Sequence, residues 1–154
     1  MQIDTTKGNQ VNIANQEESK GKAAAQNDII LVPKFIAGLK GDVKDNIFFL
    51  NENEVIYPAG HNVIIFNIED KTQRYIQGIE GTEGITALAL TKSKRWLAVA
   101  EKHEKSPICT IYNMNSLKRY KIIASTEISK QKEFISMAFC PKNEKLLVTL
   151  TNEP

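Results

Sequence analysis

Two histidines, His61 and His103, and two cysteines, Cys109 and Cys140, are the side chains of this 154-residue chain best suited to acid–base, nucleophilic or metal chemistry. A general base needs a positioned partner inside a pocket. His103 instead lies in the charged run Glu101–Lys102–His103–Glu104, which reads as a solvated loop. The cysteines stand 31 residues apart with no Cys-x-x-Cys pair, which is not the spacing of a zinc site. Both read as packed thiols in or beside strand-like segments. Gly-x-Gly-x-x-Gly and Gly-Lys-Ser/Thr phosphate loops are absent from the sequence. No catalytic residue, metal ligand or cofactor site is therefore assigned, and a pocket joining Cys109, Cys140 and His61 is what would revive such chemistry. The basic clusters Lys92 to Arg95 and Lys118–Arg119 read as solvated turns and edges, with contact to an acidic surface as the functional alternative. Trp96 reads as core or as a wedge between sheets.

Charge narrows the function classes further. Twenty basic residues face 18 acidic ones, for a net charge of +2. That balance argues against nucleic acid, a membrane surface or a polyanionic substrate as the principal partner. The apolar runs are too short to span a bilayer as a helix. The first residues lack the apolar core of a secretory signal, so a reduced, cytoplasmic compartment with free thiols is expected.

The elements that must position these residues are strands. Residues 1–28 contain no aromatic residue and are rich in Gln, Asn, Lys, Glu and Thr. They are expected to form a disordered tail, or an arm that orders on a partner. The region 29–154 is expected to fold. Ile29 to Val32 reads as a short edge strand before Pro33, with Phe35 to Leu39 continuing it after a kink. From Asn46 the chain falls into units of short strands bounded by turn chemistry. The first unit covers about 46–81 and the second about 85–123. A third, 134–154, supplies two strands only, Phe134 to Phe139 and Leu146 to Leu150, after a polar connector at 124–131. Leu88 to Ala100 and the segment from Met137 repeat one grammar at a period of 49 residues. Such a period marks a propeller array.

Several strands are apolar on both faces, as in Val63–Ile64–Ile65–Phe66 and Trp96–Leu97–Ala98–Val99. Strands of that kind lie in sheets covered on both sides. With no helical segment to do the covering, other sheets must, as in antiparallel blades packed face to face around a ring. Ala87, Ala89, Ser136 and Ala138 fit innermost strands near a crowded axis. The fourth strands, near Lys71 to Tyr75 and Lys118 to Lys121, carry the charge that protects an outer edge. Phe66–Asn67 and Tyr112–Asn113, 46 residues apart, look like degenerate forms of the Trp-Asp pair of WD repeats. The expected fold is all-β, a partial WD40-type β-propeller of about two and a half four-stranded antiparallel blades.

The units together resemble the N-terminal end of the cilia- and flagella-associated protein 57 family, WD-repeat proteins of motile axonemes. The matching residues include Gly38–Leu39–Lys40, Asn46 to Phe49, Pro58–Ala59–Gly60, Thr110 to Tyr112 and Leu146–Leu147, spread over about 38–150. The run Phe134 to Phe139 is the most specific. The resemblance implies a non-enzymatic axonemal scaffold, associated with doublet microtubules and with placement or regulation of inner dynein arms. Its implied partners are other axonemal proteins, with tubulin and inner-arm components among them. A WD-type interaction module of another cytosolic complex is the alternative. The chain departs from the family in having neither further blades nor a coiled coil.

A closed propeller takes about four to eight blades, so sheet faces expecting neighbours are left over. A longer parent protein, a split protein and a short homologue docked on a partner's propeller all remain open. Leu146, Leu147, Val148, Thr149 and Leu150 form the candidate partner-binding edge, where strand addition would complete the third unit. The region 29–154 alone is expected to be poorly soluble or oligomeric.

Overall fold

The computed structural model describes residues 34–124 and 133–152. The expected tail, the strand at 29–32 and most of the 124–131 connector lie outside these residues. The described residues form ten strands and no helix. β1 (Phe48–Phe49), β2 (Glu54–Ala59), β3 (Asn62–Asn67) and β4 (Gln73–Gln77) make one sheet. β5 (Thr82–Leu90), β6 (Trp96–His103), β7 (Ile108–Asn113) and β8 (Lys118–Ala124) make a second. β9 (Phe134–Cys140) and β10 (Asn143–Thr151) pair as a third. Every neighbour is antiparallel and strand order follows sequence order. The sheets are called blades A, B and C below.

The period-2 alternation of β-strands sorts each blade into two apolar faces. Leu88, Leu97, Val99 and Tyr112 of blade B pack with Ile56, Val63, Ile65 and Ile76 of blade A. On the other face, Ala87 pairs with Ala100 and Ala89 with Ala98. These alanines pack with Cys109 and Ile111 against Phe134 and Met137 of blade C. Both faces of blade B are thus buried, which explains why its strands are continuous hydrophobic runs. The small residues on β5 face this neighbouring sheet. Each alanine presents only a methyl group, which leaves room for the larger side chains opposite.

The Phe-Asn and Tyr-Asn pairs occupy equivalent places. Asn67 Oδ1 accepts the backbone N–H groups of Glu69 and Asp70, both at 2.9 Å. Asn113 Oδ1 accepts those of Asn115 at 3.0 Å and Ser116 at 3.3 Å. Each turn then ends on a non-glycine residue at positive φ, Lys71 at 55° and Leu117 at 53°. The short polar side chain caps the turn that reverses the third strand into the fourth.

Two expectations need correction. Phe35 to Leu39 is not a strand. The Gln73 amide grips this segment, with Ile36 N–H donating to Gln73 Oε1 at 2.8 Å and Gln73 Nε2 donating to the Ile36 carbonyl at 3.0 Å. Gly38, at φ 106°, then breaks the run. The first strand of the 46–81 unit is only Phe48–Phe49. Finally, the charged loop expected from Glu101 does not begin there, because β6 continues to His103 and Glu101 is fully buried.

Candidate partner-binding edge

β9 and β10 hold the third blade in a defined register, with Val148 opposite Ala138, Thr149 opposite Met137 and Leu150 opposite Ser136. Leu147, opposite Phe139, packs on the core between blades B and C. Leu146, Val148 and Leu150 alternate onto the other side, where they are 52%, 61% and 58% exposed. Among the described residues β10 pairs only with β9, so its second edge is open.

Both ends of the hairpin are fastened. Ser93 donates its backbone N–H and its hydroxyl to the two Glu144 carboxylate oxygens, each at 2.8 Å. These bonds hold the Glu144 carboxyl below the usual carboxylate range. At the other end Asn152 N–H donates to the Glu133 carbonyl at 3.1 Å, and Glu133 N–H to Asn152 Oδ1 at 2.7 Å. Blade C is therefore tied to blade B at its turn and closed at its open end, while one of its faces and one of its edges stay bare.

The outer rim of blade B is bare on the face that blade C packs against. Ile123 lies opposite Cys109 and is 41% exposed. The equivalent Ile76, opposite Val63, is 6% exposed under blade B. The difference arises because blade B offers four strands to cover its neighbour and blade C two. A register shift in β8 between the partners of Ile111 and Tyr112 accompanies the placing of Tyr120 beside Trp96, with ring centroids 4.7 Å apart. Tyr120 remains 69% exposed.

The residues first considered for chemistry are dispersed. His61 sits exposed in the β2–β3 turn. His103 Nδ1 accepts the Lys105 N–H at 3.1 Å. Cys109 is buried between blades B and C, its Sγ 3.6 Å from Met137 Sδ, and burial pushes its thiol up to about 12. Cys140 is half-buried at the end of β9. Both thiols are free. Cys109, Cys140 and His61 do not share a pocket, and among the described residues no three His, Cys, Asp or Glu side chains converge. Trp96 is half-buried beside the core between blades B and C, as a wedge would be.

Glu101 is the residue that sequence reasoning missed. Its Oε1 accepts the Ile79 N–H and the Thr82 hydroxyl, each at 3.0 Å. Its Oε2 has no partner among the described residues. Burial raises its carboxyl above the usual range, and those two hydrogen bonds only partly offset this. The carboxylate locks the blade A-to-B connector, and Gly78 is required there because a Cβ would meet the His61 carbonyl and Glu101 Oε1. The signal was present in the alternation Leu97, Val99, Glu101, which keeps one face.

Cilia- and flagella-associated protein 57 of Mus musculus is 36% identical over 121 residues, which is 77% of this chain and 10% of that protein. Cilia- and flagella-associated protein 57 C of Tetrahymena thermophila is 33% identical over 116 residues, 73% of this chain and 9% of the relative. The chain is a homologue of cilia- and flagella-associated protein 57. It spans about a tenth of the length of the curated relatives it matches. No family model matches it. Among solved structures, the β-propeller domain of a Myceliophteria thermophila protein aligns with a TM-score of 0.54 at 16% identity, covering 68% of this chain and 31% of that one. The fold is that of a WD40-type β-propeller, of which the described residues supply two four-stranded sheets and one two-stranded sheet.

Proposed function

We propose that this chain is a non-enzymatic scaffold of the ciliary axoneme that docks a partner through β10. Homology to cilia- and flagella-associated protein 57 supports the ciliary setting. The observation that carries the docking reading is the bare apolar face of Leu146, Val148 and Leu150 beside an unpaired strand edge. An incoming strand would satisfy the free backbone groups of β10, and its side chains would flank Leu146, Val148 and Leu150 on that face. Leu147 and Thr149 would set its register from the inner side. The finer expectation is association with doublet microtubules and with the placement or regulation of inner dynein arms.

Localisation is the first test. A tagged copy of the chain expressed in a ciliated cell is expected to co-purify with detergent-extracted axonemes. A second copy with Val148→Asp and Leu150→Asp is expected to be lost from them. Absence of the parent chain from axonemes would overturn the ciliary reading. Equal retention of both copies would overturn the docking edge.

A further inference from the structure

One end of blades B and C is strongly cationic, and this charge does not follow from the overall balance of the chain. The β5–β6, β7–β8 and β9–β10 turns lie at this end. The β7–β8 turn touches the β5–β6 turn through the Met114 N–H to Arg95 carbonyl bond at 2.9 Å, and Ser93 ties the β5–β6 turn to Glu144. Segments 91–96, 113–119 and 141–145 carry seven Lys or Arg side chains and a single acid, Glu144. All seven cations are exposed, and none enters an ion pair among the described residues. The one acid is occupied by the Ser93 bonds. The patch is also aromatic, because the Arg95 guanidinium carbon lies 5.1 Å from the Trp96 ring centroid and Tyr120 packs beside Trp96 at a tilt of 48°.

We propose that this end is a binding surface for a short acidic polypeptide segment, rich in Glu or Asp. Unpaired cations converging on a surface raise the local concentration of an anionic partner and orient its approach. Exposed Tyr120, held beside Trp96, offers apolar contact to the methylene groups of a Glu side chain. Length is limited by what lies next door. At the same end of blade A, Glu54 is paired with Arg74, and Glu52, Glu69 and Asp70 outnumber the one further cation, Lys71, an excess that would repel a long polyanion continuing past blade B. A short acidic segment fits that boundary and an extended nucleic acid does not. This surface is separate from the β10 edge, so either proposal stands without the other.

The test uses the intact chain and its single tryptophan, which lies in the patch. A short poly-glutamate peptide is titrated and Trp96 fluorescence followed, with a poly-glutamine peptide and an oligonucleotide as comparisons. Saturable binding of poly-glutamate alone is expected, weakening as added salt shortens the screening length to about 3 Å. The triple variant Lys92→Glu, Lys94→Glu and Lys118→Glu is expected to weaken it at least about tenfold. The matching Lys→Arg triple should retain binding, which separates lost charge from lost folding. Unchanged binding in the Glu triple would overturn the proposal. So would an oligonucleotide binding as tightly as the peptide, or salt-sensitive self-association in place of peptide binding, with blade A of one copy seated on the patch of another.

Discussion

Replacing Leu146, Val148 and Leu150 together by Thr separates a bare face from a buried one. Each side chain is more than half exposed, so each realises under half of the roughly 1.5–3 kcal/mol that complete burial of a Leu or Val contributes. Threonine keeps β-propensity and one methyl group. The triple variant should therefore cost the free chain about 1–2 kcal/mol in all. Leu97, fully buried between blades A and B, is the reference. Leu97→Thr alone should cost about 3 kcal/mol or more, because it leaves a void and buries a hydroxyl. Loss on binding is a different matter. Covering the exposed part of the three side chains is worth about 1 kcal/mol each. Their removal should thus weaken a docked partner by about a hundredfold. Denaturant unfolding followed by circular dichroism measures the first quantity, and light scattering behind size exclusion follows self-association, which the triple variant should reduce. A triple variant as unstable as Leu97→Thr would mean that the face is already packed within the chain, and the reasoning would fail.

Two further outcomes follow from single residues. The Glu101 carboxyl is raised by burial, so the folded chain binds this proton more tightly than the unfolded chain does. Its stabilisation is complete below the unfolded carboxyl range, about 4.3, and is lost as pH rises through the folded value. Glu101→Gln, which still accepts from Ile79 and Thr82, should be at least as stable as the parent at neutral pH and should flatten this pH dependence, measured as unfolding midpoints from acid to neutral pH. A steeper dependence in the variant would contradict the assignment. Asn67→Ala and Asn113→Ala each leave two backbone N–H groups without their acceptor and should each cost about 1–2 kcal/mol, whereas Asp at either position should restore most of it. Unfolding midpoints that match the parent in both Ala variants would show that the turns hold without their caps.

Much of the fold was legible because strand alternation and turn chemistry are local. The blade units, the Asn-capped turns and the outer cationic strands can each be read from a window of a few residues. What failed was non-local. Glu101 looked like a loop residue because its partners, Ile79 and Thr82, lie 22 and 19 residues earlier. Phe35 to Leu39 looked like a strand because nothing nearby indicates that a glutamine 37 residues on will hold it. Ala87 and Ala89 stand out in the sequence as small residues, but the side chains they pack against, Phe134 and Met137, lie on another sheet. At the candidate edge the residues were named from sequence. Their division into Leu147 facing inward and Leu146, Val148 and Leu150 facing outward needed the β9–β10 register.

The chemistry of β10 bears on what covers it. Sheet edges exposed to water are usually protected by charge, by proline or by shortness. β4 and β8, the outer strands of blades A and B, follow that rule, with Arg74 on one and Lys118, Arg119 and Lys121 on the other. β10 does not. It is nine residues long and carries no charge after Lys145. Its apolar residues fall on both faces, as they do in β6, which has a strand on either side and a blade against each face. An edge position with interior-strand chemistry is costly to leave in water and prone to pair with any extended segment. The bare rim of blade B at Ile123 and Tyr120 extends the same requirement outward, because one added strand would cover β10 and only a second would reach the β8 side of that rim. The covering partner is therefore expected to present two antiparallel strands, the first apolar on both faces and the second carrying the outward charge that β4 and β8 carry.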